Sequence, residues 1–150
     1  MLFFFKHLQS FYEEERRELF ENTGVLPSGC IIFLGCAKSP YGKKRIKFPG
    51  WTESKSLYVH RISLLLRDRT PEGPPEMEAS HLCGVKKCIR EEHLVWEGSE
   101  INDSRRRCHR LGACQPELNH MPPCIFCKYI KAINVFVTTY WMKMIVRGSF

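Results

Sequence analysis

The segment Ser80-His81-Leu82-Cys83-Gly84-Val85-Lys86-Lys87-Cys88-Ile89-Arg90-Glu91-Glu92-His93-Leu94 decides how this chain folds. Its spacing, H-x-C-x4-C-x4-H, gathers three soft or borderline ligands, Cys83, Cys88 and His93, into one short loop. A tetrahedral zinc site needs four. Cys30, or less suitably Cys36, can supply the remaining thiolate from an upstream strand. Downstream, Cys108-x5-Cys114-x5-His120-x3-Cys124 offers a Cys3His set of its own, with Cys127 and His109 as alternates. Two structural zinc ions would organise loops that apolar burial alone cannot hold.

The rest of the composition is consistent with metal rather than disulfides. The chain has 150 residues, eight cysteines and a formal charge of +7. Its 43% hydrophobic and 26% charged residues suit one packed domain and argue against a disordered chain. Met1 to Phe5 is apolar for about one turn only and Lys6 follows, so a secretory leader is not expected. The apolar stretch Ala132 to Val146 is broken by Asn134, Thr138, Thr139 and Lys143 and is too short for a membrane span. An intracellular chain keeps its thiols reduced, which favours zinc over four bridges. The basic charge makes the nucleus the expected compartment.

Around this centre the chain divides readily. From Leu2 to Asn22 the apolar residues Phe4, Leu8, Phe11, Leu19 and Phe20 recur at roughly helical spacing, which predicts an amphipathic helix closing near Thr23-Gly24. Cys30 to Ala37 reads as a strand entering the turn Ser39-Pro40-Tyr41-Gly42. In Lys43 to Phe48 a second strand would bury Ile46 and Phe48 and turn Arg45 and Lys47 outward, either towards a phosphate backbone or as a charged edge that deters aggregation. Leu57 to Leu66 is helix-compatible, and Pro71 to Glu78 is the linker that ends it. Arg105, Arg106 and Arg107 follow Ile101 on another helix, as a phosphate-binding triplet or a solvated face.

His81 to Cys124 resembles the His-Cys box of homing endonucleases, in the ββα-metal (His-Me finger) nuclease superfamily. The histidine, both clusters and Asn102 between them keep the family's order, and Tyr58-Val59-His60-Arg61 and Pro40-Tyr41-Gly42 are similar to family sequence too. The resemblance implies an α+β, zinc-stabilised ββα-metal fold with a small antiparallel sheet and few helices. It implies a site-specific endonuclease acting on double-stranded DNA, with His81 as general base and Asn102 holding one Mg2+. It also implies a homodimer that cuts both strands.

From the residues themselves two alternatives stay open. His81 can be a zinc ligand, and Asn102 can be the N-cap of a helix opened by Ser99. The resemblance further implies a cation on the scissile phosphate, for which Arg45 and Lys47 are the candidates, with Arg61 behind them. The expected layout is a single domain over 1–150. It comprises a helix over 1–24, a DNA-binding sheet and following helix over 28–70, the zinc-bound catalytic core over 79–127, and a C-terminal tail over 131–150 as dimer interface. The rival functions are a zinc-stabilised DNA-binding protein without catalysis and a zinc-organised protein-interaction module.

Overall fold

The computed structural model describes residues 2–36, 38–112 and 120–125. Helix α1, Leu2–Glu21, is followed by strand β1, Thr23–Val25. Next come β2, Ile31–Phe33; β3, Lys43–Ile46; and β4, Lys55–Tyr58, which runs directly into α2, Val59–Arg67. Strand β5, Glu78–His81, a 3-10 turn at Glu91–His93, β6, Leu94–Glu97, and α3, Ser99–Leu111, complete the described elements. The fold is α+β, and its strands form three two-stranded antiparallel ladders, β1-β2, β3-β4 and β5-β6, rather than one sheet.

The N-terminal helix forms as its periodicity predicts. Tyr12 and Leu19 are buried, and Phe11 and Phe20 pack beside them. Opposite lies α2, whose Val59, Ile62, Leu65 and Leu66 enter the same core with Phe33, Ile46 and Phe48. In β3 the alternation works out as expected: Ile46 and the following Phe48 are buried while Arg45 and Lys47 are exposed. The helix expected from Leu57 starts two residues later, because Leu57 and Tyr58 pair with Lys44 and Lys43 across the β3-β4 hairpin. Backbone pairing with β3 overrides the local helical pattern there.

Helix α2 ends without a glycine. The Arg69 N–H donates to the Leu66 carbonyl at 3.3 Å and the Thr70 N–H to that of Leu65 at 3.0 Å, the paired closure of a Schellman motif, with Arg69 at φ 52°. Pro71 then follows, so the prolines do mark the end of the helix.

The ladder β5-β6 was hidden within the expected linker and core. Its register sets Glu78 opposite Glu97, Ser80 opposite Val95 and His81 opposite Leu94. The long connection between the strands is closed at its base by the Leu82 N–H on the His93 carbonyl, 2.8 Å. It is stitched to β2 by the Ile89 N–H on the Ile31 carbonyl (2.8 Å) and by the Phe33 N–H on the Lys87 carbonyl (3.0 Å). Ile89 itself enters the apolar core. Adding α3 makes a β-β-α unit whose connecting loop is the stretch quoted at the outset. The tail 131–150 and its dimer-interface role lie outside the described residues. Among the described residues, no helix is long and apolar enough to cross a membrane.

Candidate metal centres and active cleft

The first cluster is complete. Cys30, Cys83, Cys88 and His93 bring one ligand atom each to within 4.8 Å of the others. His93 Nδ1 stands 3.5 Å from Cys30 Sγ and 3.6 Å from Cys88 Sγ. Tetrahedral ligands at Zn–S of about 2.3 Å and Zn–N of about 2.0 Å must lie roughly 3.5 Å apart, so the set fits zinc. The Cys83 thiol is held above its ordinary value, first by its hydrogen bond with Cys88 and then by burial. Crowded thiols of this kind are relieved by a dication. Cys36 takes no part: its carbonyl accepts a hydrogen bond from Lys87 Nζ at 2.8 Å, and its thiol lies outside the cluster.

The second cluster brings together Cys108, His120 and Cys124, all buried, with Cys108 Sγ 3.1 Å from His120 Nε2. Cys114 and the alternate Cys127 lie outside the described residues. His109 is not part of the cluster. Its ring packs where a Cβ on Gly84 would sit, and its Nε2 lies 3.4 Å from the Leu82 carbonyl.

Arg105 corrects an expectation. Instead of facing phosphate it is fully buried, 0% exposed, and its guanidinium grips Glu97 through Nε–Oε1 (3.0 Å) and Nη2–Oε2 (2.8 Å). It also donates to the Pro122 carbonyl at 3.0 Å and to Cys124 Sγ at 3.5 Å. A buried cation is tolerable only when paired, and here the Glu97 carboxylate neutralises it while the Cys124 sulfur and the Pro122 carbonyl accept its remaining hydrogen bonds. Arg106 remains on the surface, paired with Asp103.

A cleft of about 710 Å3 has both His81 and Asn102 in its lining. His81 is the last residue of β5 and is not a zinc ligand. Its Nε2 stands 3.1 Å from the Cys88 carbonyl. A carbonyl can only accept, so Nε2 carries the proton and Nδ1 keeps the lone pair. Burial is the main reason its pKa is lowered to about 4. The imidazole is therefore neutral at physiological pH.

Asn102 is not the N-cap of α3, a place taken by Gly98. It sits one turn in, with its backbone N–H on the Gly98 carbonyl at 3.1 Å. Its amide is oriented by β5: Ser80 Oγ donates to Oδ1 at 2.9 Å, and Nδ2 donates to Glu78 Oε2 at 2.6 Å. One lone pair of Oδ1 remains available to a cation. Amide, hydroxyl and carboxylate oxygens are hard donors, a set that suits Mg2+.

Of the three cations considered for the scissile phosphate, Arg61 lines this cleft, whereas Arg45 and Lys47 do not. Arg45 instead donates to Ser54 Oγ at 2.8 Å on the hairpin. The Arg61 guanidinium lies 5.3 Å from the centre of the Trp96 ring. Sequence reasoning missed Glu78 and Lys86 as cleft residues and gave no role to His60, whose ring is centred 4.5 Å from that of His81. The signal for His60 was a polar residue at the head of an apolar helix. Its buried Nδ1 has no hydrogen-bond partner among the described residues. Burial first, then the neighbouring His81, lowers its pKa to about 3.

The profile described as the zinc-binding loop region of homing endonuclease matches residues 35–139, more than two thirds of the chain. Neither the curated proteins nor the solved structures give a significant match. With the ligand sets and the β-β-α unit in place, that match identifies the chain as a member of the homing-endonuclease zinc-binding-loop family.

Proposed function

We propose that this protein is a site-specific endonuclease that hydrolyses phosphodiester bonds in double-stranded DNA, using one Mg2+, His81 as general base and Asn102 as metal ligand. The observation that carries the reading is that one cleft is lined by both a neutral imidazole with a fixed tautomer and an amide oxygen with a free lone pair. His81 Nδ1 is the atom that takes the proton from the attacking water. The Cys88 carbonyl holds the ring in that tautomer and is well placed to stabilise the imidazolium that results. Ser80 and Glu78 hold the Asn102 amide so that Oδ1 is presented to the ion. When bound, Mg2+ would neutralise the charge that builds on the scissile phosphate and the leaving 3′ oxygen.

Arg61, Lys86, Arg106 and Arg110 give the cleft a positive rim for the DNA backbone. Arg45 on β3 and Lys47 just after it are exposed and would follow the duplex away from the cut. A homodimer with two such clefts related by a two-fold axis would cut both strands of a near-palindromic site, and a nuclear location accords with the basic charge.

The test is cleavage of supercoiled plasmid carrying a randomised insert, with the zinc-loaded protein and Mg2+. Cleavage is expected from the wild type and loss of at least a hundredfold in rate from His81→Ala and Asn102→Ala, with DNA affinity retained. A wild type that binds DNA with the expected salt dependence but never nicks would make it the non-catalytic DNA-binding protein instead. Sedimentation of the protein on a cleaved site would settle one copy against two.

A further inference from the structure

We propose that Glu78 is part of the divalent-cation site, capturing the ion beside Asn102 before DNA is bound. The inference rests on the nuclease reading of the cleft and adds to it a residue that the His-Asn pair does not include.

The first argument is charge. Arg61, Lys86, Arg106 and Arg110 line the cleft, and Glu78 is the one carboxylate among the described lining residues. Such a rim attracts phosphate but repels a free dication. Asn102 is a neutral ligand and cannot offset that repulsion. Asp103, next to Asn102 in sequence, is engaged by Arg106, so in the DNA-free protein Glu78 is the lining residue that can supply negative charge to retain a cation.

The second argument is register. Glu78 lies directly opposite Glu97 on the β5-β6 ladder, and like charges facing one another across strands are destabilising. Glu97 is neutralised by the buried Arg105. Glu78 has no ion-pair partner among the described residues: its Oε2 accepts from Asn102 Nδ2 at 2.6 Å, and its Oε1 makes no hydrogen bond. With Glu97 already neutralised, the charge left uncompensated on this ladder is that of Glu78, an exposed carboxylate with one oxygen against Asn102 and the other open, which has the chemistry of a cation ligand.

Mn2+ is the probe, because its free aquo ion is read directly by electron paramagnetic resonance. Zinc-loaded, DNA-free protein is titrated with Mn2+ as wild type, Glu78→Gln, Asn102→Ala and the control Glu100→Gln, an exposed carboxylate in the first turn of α3 outside the cleft. Glutamine preserves the acceptor for Asn102 Nδ2 but removes the charge. The expected result is a tenfold or greater loss of Mn2+ affinity in Glu78→Gln, with Glu100→Gln within twofold of wild type. In cleavage, Glu78→Gln should raise the half-saturating Mg2+ concentration about tenfold.

Mn2+ affinity of Glu78→Gln within twofold of wild type would overturn the inference, even if the wild type cuts DNA normally. A Glu78-dependent Mn2+ site in a protein that never cuts would leave the inference standing and overturn the nuclease reading. Since Glu78 is exposed, its substitution is expected to leave the thermal midpoint within a degree or two, which checks that folding is intact.

Discussion

Around Phe48 and Leu19 the chain closes on side chains alone, whereas around Cys83 and Cys108 it closes on ligand atoms. In the first region α1, α2 and the β3-β4 hairpin interlock through aromatic and aliphatic residues: Phe48 meets Phe11 and Trp51 at 5.8 and 5.1 Å between ring centres. In the second, β5, β6 and α3 bury few apolar groups and instead enclose thiols, imidazoles and one arginine. The two meet at the Cys83–His93 loop, which sends Ile89 into the apolar core and Cys88 to the metal centre. Catalytic candidates sit on the metal-held side, where short elements can be fixed without a large core.

Chelation should produce the largest break. The apparent binding free energy of a structural zinc is about 10–16 kcal/mol, comparable with the whole stability of a domain, about 5–15 kcal/mol. Stripping zinc under reducing conditions is expected to abolish the near-ultraviolet circular dichroism of Trp96 and its surroundings and to eliminate any cleavage. A chelated protein that keeps its full spectrum would mean the β-β-α unit does not depend on metal.

Two substitutions sharpen the contrast. Glu97→Gln leaves the Arg105 charge buried without its carboxylate and should cost about 3–5 kcal/mol in denaturant unfolding, together with loss of the second zinc. Leu19→Ala should cost about 2–5 kcal/mol through the cavity it leaves, with both zinc ions retained. If the leucine variant loses metal as readily as the glutamate variant, the regions are a single cooperative unit and the distinction fails.

The pH dependence is smaller and belongs to the boundary, where His60 of α2 packs on His81. Its pKa of about 3 lies below the roughly 6.5 of an unfolded histidine, so between those values the unfolded chain holds the extra proton. Its contribution is therefore complete above about pH 6.5 and declines as the pH falls towards 3, by at most about tenfold in the unfolding constant per pH unit. His60→Phe should flatten the stability profile of zinc-loaded protein across that window relative to wild type; parallel profiles would count against it. The smallest effect is expected at the ion pair of the exposed Arg16 with the half-buried Glu91, 2.8 Å, which ties α1 to the zinc loop. Arg16→Ala should change stability by no more than about 1 kcal/mol.

How much of this was legible varies with the range of the interactions concerned. The N-terminal helix, the alternation Arg45-Ile46-Lys47-Phe48 and the stop at Pro71 follow from local periodicity and backbone chemistry, and all appear where expected. The ladder β5-β6 was not visible. Its strands are four residues each, and Ser80-His81 and Trp96-Glu97 carry no clean alternation. Nor was the fate of the arginine triplet. As residue types Arg105 and Arg106 are the same cation, and what draws Arg105 inward is Glu97, which is eight residues away from it in sequence and reaches it only across the β6-α3 turn.

The sequence by itself determined which residues can ligate zinc, since a thiol or imidazole at the right spacing is a property of the chain, and it determined the family to which that spacing belongs. Only the tertiary structure decided that Cys30 rather than Cys36 completes the first site, that His81 bonds a carbonyl and not a metal, and that Arg105 lies inside while Glu78 opens to the cleft. The reason is physical. Ligand type is fixed by covalent chemistry, but burial and pairing are set by neighbours brought together from distant parts of the chain, and these settle whether a charge is neutralised in the interior or left exposed to bind a partner.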